Sequence, residues 1–238
     1  MTQYTYQERF KTDKGVFDEF THRNLFELQS RDFFESLLSP LKVGKESNVF
    51  LAKRGKTILV VKIYRLQNCD FNKMYDYIRK DPRYEYLKKH RRDIIFAWTQ
   101  REYRNLTKAH ELGIKVPKVI TWLHNILLEE FIGDEQAAPQ LKDAIPKDPQ
   151  KFFNQIIKNI TTLYKGGLIH GDLSAFNILN YKEKPYFIDF SQSTVTKTPN
   201  AEELLQRDLT NIVQFFKKLG IKADADQLLQ KIKSSRNI

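Results

Sequence analysis

Leu168-Ile169-His170-Gly171-Asp172-Leu173-Ser174-Ala175-Phe176-Asn177-Ile178-Leu179, followed by Phe187-Ile188-Asp189-Phe190, decides how this chain is read. Asp172 and Asn177 are five positions apart, and Asp189 follows twelve later at the end of a short apolar strand. This spacing suits phosphoryl transfer: a catalytic Asp172, then Asn177 and Asp189 as ligands of a divalent cation. A nucleoside triphosphate is strongly anionic and binds with Mg²⁺, for which Asp and Asn oxygens are suitable hard ligands. Each residue alone could be an ordinary turn residue, the usual role of Asp and Asn. The three at this spacing, with Ile-His-Gly before and Ile-Asp-Phe around the last, are a specific combination. His170 reads as a packing and hydrogen-bonding residue behind the loop rather than a proton shuttle.

Working outward, the apolar run Ile58-Leu59-Val60-Val61 ends in Lys62, placed to reach phosphate oxygens. Glu102 lies four residues beyond Trp98 on the inward face of a helix. An inward carboxylate needs a cation, and Lys62 is the natural partner. Val43-Gly44-Lys45-Glu46-Ser47-Asn48-Val49 occupies the place of a phosphate-covering loop, in which Gly44, Lys45, Ser47 and Val49 would meet the nucleotide. It is not a Walker A loop, which needs a second glycine directly before Lys-Ser/Thr. A simple turn is the structural alternative. Glu129-Glu130-Phe131-Ile132-Gly133 fits a hinge whose backbone at Glu130 and Ile132 would bond an adenine edge. It fits a strand end and turn equally well.

Phe26, Phe33, Phe34, Leu37 and Leu38 recur at near-helical spacing up to Pro40, predicting a helical extension over residues 1–40. Strands are predicted at 48–52, 57–63, 119–122 and 126–131, and helices at 70–79 and 93–112. Asp148 caps a helix with Pro149 at its first position, closed by Gly166-Gly167. Asn200 with Glu203 forms a capping box for a helix to about residue 219, and a last helix covers about 224–232. A strand-rich half, a hinge and a helix-rich half predict an α+β, bilobal, protein-kinase-like fold. Its small β-rich N-lobe would cover residues 41–133 and its larger helical C-lobe residues 134–238.

Of the 238 residues, 41% are hydrophobic, enough for a sizeable core. The single cysteine, Cys69, excludes an internal disulfide and a cysteine-ligated metal cluster. No signal-peptide core and no membrane-length apolar run is present, so a cytoplasmic location and no membrane partner are expected. Forty Lys and Arg against 29 Asp and Glu give a net charge of +11. Arg79, Lys80, Arg83, Lys88, Lys89, Arg91 and Arg92 cluster with Tyr84 and Tyr86. That mixture suits RNA backbone contact and base stacking. An exposed face laced with ion pairs to Asp81, Glu85 and Asp93 fits as well.

With these motifs in place, the chain resembles the RIO family of atypical serine protein kinases from about residue 41 to 220. The resemblance rests on Gly-Lys-Glu-Ser-Asn-Val at 44–49, Val-Lys-Ile-Tyr-Arg at 61–65 and Glu-Tyr-Arg-Asn-Leu at 102–106. The most specific pieces are His-Gly-Asp-Leu-Ser-Ala-Phe-Asn at 170–177 and Ile-Asp-Phe-Ser-Gln-Ser at 188–193. The Asp-Leu-Ser and Ser-Gln details point to the first RIO branch, of archaeal type. The short segment before residue 41 argues against the winged-helix branch. The resemblance implies ATP with Mg²⁺, or Mn²⁺ in its place, autophosphorylation on serine, and phosphoryl transfer to Asp189. It also implies a role in maturing the small ribosomal subunit, with the pre-ribosomal particle and its rRNA as partners and no DNA partner.

Gly171 stands where ordinary protein kinases carry Arg, and no Ala-Pro-Glu element follows Asp189, which favours an ATPase-like switch. Glu129 stands where an apolar residue is expected behind the adenine. Two other readings remain open. An aminoglycoside- or choline-type small-molecule phosphotransferase shares His-Gly-Asp, Asn and Ile-Asp-Phe. A non-catalytic nucleotide- and RNA-binding scaffold would need none of the metal ligands.

Overall fold

The computed structural model describes residues 17–67 and 69–235. Its elements follow the chain as α1 (Glu19–Ser30), β1 (Ser36–Val43), β2 (Ser47–Arg54), β3 (Thr57–Tyr64), α2 (Phe71–Ile78), α3 (Arg91–Glu111), β4 (Val119–Leu123) and β5 (Ile126–Glu130). They continue as α4 (Pro149–Lys165), β6 (Leu168–Ile169), β7 (Ile178–Tyr181), β8 (Lys184–Phe187), β9 (Thr194–Val195), α5 (Ala201–Lys217) and α6 (Ala225–Ser234). The fold is bilobal and kinase-like, with a β-sheet N-terminal lobe and a helical C-terminal lobe.

The N-lobe is one antiparallel sheet in the order β1-β2-β3-β5-β4. β3 is central, so both its faces are covered and its sequence is a continuous apolar run. Alternation sends Leu59, Val61 and Ile63 to one face, where they pack with Leu25 and Leu28 of α1. Val60, Lys62 and Tyr64 take the other face. Tyr64 there joins Met74, Ile78, Ile95 and Trp98 of α2 and α3. A second core lies in the C-lobe, where Phe152, Ile156 and Ile160 of α4 meet Leu205, Leu209 and Ile212 of α5. Asp148 caps α4 as expected, accepting from Lys151 N–H at 2.9 Å.

Two local expectations fail. Residues 17–40 do not form one helix. It stops at Ser30, Asp32 turns left-handed at φ 57°, and Ser36–Val43 becomes an edge strand. Phe33, Leu37 and Leu38 mimic a helical stripe, but the chain pairs Ser36 with Lys53 and Leu37 with Ala52 instead. Pro40, without an N–H, sits at a register shift on this edge, where proline is tolerated. The expected boundary at 40/41 therefore falls inside β1, and residues 1–16 of the expected extension lie outside the described residues. The Asn200–Glu203 capping box also fails. Asn200 has φ −98° and ψ 20°, not the extended backbone of a capping residue, and its side chain makes no cap bond.

Candidate active site

The lobes enclose a cleft of about 700 Å³, within the size range of small-molecule sites. Lys62 enters it from β3 because its register partners, Val49 on β2 and Leu127 on β5, share the cleft-facing side of the sheet. Its Nζ donates to Glu102 Oε1 at 2.8 Å and to Asp189 Oδ1 at 2.9 Å. One ammonium thus joins the N-lobe sheet, α3 and the C-lobe loop after β8. The Tyr64 hydroxyl donates to the other oxygen of Glu102. Burial opposes the Lys62 charge, but Asp189 and Glu102 outweigh it and hold the ammonium well above its ordinary pKa. Burial likewise opposes ionisation of Asp189. Lys62 and the Ser191 hydroxyl, donating at 2.8 Å, overcome it and hold the carboxyl well below the usual range.

Asp189 has left-handed backbone, φ 64° and ψ 67°, a strained conformation for a non-glycine residue. The next residues are pinned to α3 and so sustain it. Asn105 Nδ2 donates to the carbonyls of Phe190 at 3.1 Å and Ser193 at 2.7 Å. The fully buried Arg101 donates to Ser193 O at 3.0 Å and to Gln192 O at 3.2 Å, and pairs with the buried Asp81 at 3.5 Å. Of these residues, Arg101 lies outside every motif the sequence offered. Yet Arg101 is three residues from Trp98 and four from Asn105 on the inward face of α3, and an inward charge on a helix demands a partner.

The loop between β6 and β7 carries Asp172 and Asn177. Asn177 Nδ2 donates to Asp172 O at 2.8 Å and to Asp172 Oδ2 at 3.2 Å, which leaves Asn177 Oδ1 as an acceptor. The loop hangs on Asp208 of α5, whose carboxylate accepts from Gly171 N–H and Leu173 N–H, both at 2.7 Å. Sequence reading missed Asp208. The signal was present, because Asp208 stands between Leu204 and Ile212 at four-residue spacing on a buried face. Arg207 Nη2 donates to Gly171 O beside Asp172. Burial, then the Asp189 charge, raises the Asp172 pKa, while Arg207 and Asn177 oppose the shift.

His170 lies behind the loop, 2% exposed, with Nε2 3.1 Å from Ile188 O and its ring against Phe190. Burial pushes its pKa down to about 4. An unfolded histidine titrates near 6.5, so between these values the unfolded chain binds more protons than the folded one. The share of stability that rests on neutral His170 is full above pH 6.5 and is lost as pH falls toward 4. At pH 5 the loss is about 2 kcal/mol. Buried carboxyls such as Asp208, raised to about 7, act with the opposite sign over this range, so the His170 contribution is read by difference. The melting midpoint of His170→Phe should gain on that of the unaltered protein as pH falls from 6.5 to 5, and a difference that does not change with pH refutes the assignment.

Among the expected site residues, Gly44, Lys45, Ser47, Val49, Lys62 and Glu130 line the cleft, as do Ile132, Asn177 and Asp189. Glu102 is buried behind Lys62, and Asp172 sits below Asn177 without lining the cleft itself. Gly44 closes a tight turn, with its N–H on Ser47 O at 2.9 Å, and an added Cβ would stand 2.9 Å from that carbonyl. At the hinge, Ile132 O accepts from Ala138 N–H at 2.9 Å, and Ile132 N–H donates to no protein acceptor among the described residues. The donor set suits magnesium triphosphate. Mg²⁺ is usually held by one or two protein oxygens together with phosphate oxygens. Accordingly, no group of three or more His, Cys, Asp or Glu among the described residues could hold a metal alone.

The basic cluster divides. Arg83 forks onto the buried Asp81, with Nη2 2.6 Å from Oδ2, and Tyr84 is buried. Arg79, Lys80, Lys88, Lys89, Arg91 and Arg92 remain exposed, as does Tyr86 at 92%, and Arg79 pairs with Asp76 at 3.5 Å. Lys89 and Arg91 lie over the rings of Tyr75 and Phe71, at 5.5 and 5.0 Å from the ring centres. No helix among the described residues is long and apolar enough to cross a membrane.

Comparison with known proteins gives a consistent picture. Residues 48–228 match the family model of the RIO domain. A RIO-type serine/threonine-protein kinase Rio1 of Methanocaldococcus jannaschii is 41% identical over 227 residues, covering 94% of this chain and 78% of that protein. The Rio1 kinase of Thermoplasma acidophilum is 36% identical, covering 78% of this chain and 98% of that protein. The fold is shared with a crystal structure of the Rio2 kinase ADP/Mg²⁺-phosphoaspartate complex from Chaetomium thermophilum. Its TM-score is 0.67 at 24% identity, over 88% of this chain and 65% of that one.

Proposed function

The chain belongs to the RIO domain family, and from that premise we propose that it is an ATP- and Mg²⁺-dependent serine/threonine kinase and ATPase acting on the small ribosomal subunit as it matures. The observation that carries this reading is Lys62 held between Glu102 and Asp189 at the wall of the cleft. Lys62 is a fixed cation where phosphate oxygens arrive, and Glu102 keeps it oriented. Asn177 and Asp189 supply oxygens for Mg²⁺, which offsets phosphate charge when bound. Asp172 orients the attacking hydroxyl and accepts its proton, favoured by its raised pKa. The backbone of Glu130 and Ile132 meets the adenine edge.

The acceptor is a protein serine, including one of its own, or the Asp189 carboxylate. The Rio2 relative crystallised as a phosphoaspartate complex supports the second acceptor. Incubation with labelled ATP and Mg²⁺, with and without immature small subunits, followed by mapping of the labelled residue, separates the two. Labelled serine or aspartate is expected. Transfer to small alcohols or aminoglycosides alone refutes the reading, and no turnover at all leaves a nucleotide-binding scaffold.

The exposed cations around Tyr86 give the RNA contact its chemistry, and a cytoplasmic location suits that partner. Neutralising Arg79, Lys80, Lys88 and Lys89 together should weaken ribosomal RNA binding and reduce the slope of log K against log salt by roughly 3. A slope equal to that of the unaltered protein makes this surface a solvated face only.

A further inference from the structure

Glu129 is a carboxyl inside the cleft that none of the roles above uses. It is paired with Val60 across the sheet, so it shares the cleft-facing side with Lys62 and Leu127. Its strand neighbour Leu128 turns the other way, into the core under α1. Glu129 is half-buried and lines the cleft. Its carboxyl makes no hydrogen bond or ion pair among the described residues, and the charged groups around it are Lys62 of β3, Glu102 of α3 and Asp189. A half-buried polar group without a partner costs stability that a matching ligand restores.

The matching group follows from the base placement proposed above, on which this inference rests. An adenine whose N1 and N6 meet the backbone of Glu130 and Ile132 has one N6 hydrogen and N7 left over. These form an adjacent donor–acceptor pair on one edge. Burial, then the charge of Glu102 and that of Asp189, push the Glu129 carboxyl up to about 8 against the pull of Lys62, which favours the neutral acid. A neutral carboxylic acid offers one acceptor and one donor side by side. That is the pattern with which side-chain amides read the N6/N7 edge of adenine in nucleic acids. A 6-oxopurine presents two acceptors there and can satisfy only half of the pair.

We propose that Glu129 is a specificity-determining residue that reads the N6/N7 edge of adenine and biases the cleft toward ATP over 6-oxopurine triphosphates. The test is equilibrium binding of ATP, 7-deaza-ATP and inosine triphosphate, each with Mg²⁺, to the full chain and to Glu129→Gln and Glu129→Met. The unaltered protein should bind ATP roughly tenfold more tightly than 7-deaza-ATP, the worth of about one hydrogen bond. Glu129→Gln should keep that ratio. Glu129→Met should bring it close to unity and narrow the preference over inosine triphosphate by a similar factor. Equal affinity of the unaltered protein for ATP and 7-deaza-ATP overturns the proposal, as does a ratio preserved in Glu129→Met or lost in Glu129→Gln. The comparison of ATP with 7-deaza-ATP in the unaltered protein decides the matter even if Glu129→Met does not fold. Failure to bind any of the three nucleotides overturns the ATP reading of the cleft itself.

Discussion

Asp189→Ala should eliminate the Mg²⁺-dependent stabilisation of this protein by ATP. At ligand a hundredfold above its dissociation constant, binding stabilises a folded protein by about 2.7 kcal/mol. For a chain of this size that is a rise in melting temperature of about 5–10 °C. The argument rests on position. Asp189 lines the cleft, its carboxyl is held ionised by Lys62, and Asn177 lines the same cleft. Losing Asp189 leaves Asn177 as the remaining proposed protein ligand, too little to hold the ion. Lys62 also loses one of its two carboxylate partners, so the melting temperature without ligand must be recorded separately. Asp189→Asn controls for shape. A full ATP-dependent shift in Asp189→Ala, still abolished by chelating Mg²⁺, refutes the assignment.

Asp172→Ala should behave differently. Asp172 is set back from the cleft, joined to it through Asn177, and its loop is suspended from Asp208. ATP affinity should change by less than about threefold, since the nucleotide meets other groups. Turnover should fall by about 10²–10⁴, the usual worth of a positioned general base. Separate measurement of ATP affinity and the rate of phosphate release distinguishes this from a binding defect. An unchanged rate removes Asp172 from the catalytic role. A matching fall in affinity and rate shows that Asp172 serves only to hold Asn177.

The two lobes were legible in the chain because their signals are local. The apolar run ending at Lys62, the proline after Asp148 and the paired glycines at 166–167 each constrain a few neighbouring residues, and the structure follows them at β3 and α4. Residues 33–40 were misread because a spaced apolar series is also consistent with an edge strand. Only pairing with β2 decides between them. The capping role of Asn200 failed for a related reason: the backbone torsions that aim a cap are set by how the preceding turn is wound.

For the site, the sequence by itself determined which chemical groups are present and in what order: Lys62, Glu102, Asp172, Asn177 and Asp189. Covalent connectivity fixes spacing within a loop or along one strand, so Asp172 and Asn177 could be matched directly. Tertiary structure alone decided that Lys62 touches Asp189 across 127 positions of chain, and that Asp208 holds the loop bearing Asp172. It alone paired Arg83 with the buried Asp81 and turned Tyr84 away from solvent while leaving Tyr86 exposed. The reason is that a charge buried far along the chain is tolerated only where folding delivers its partner, and which partner arrives depends on the packing of whole elements.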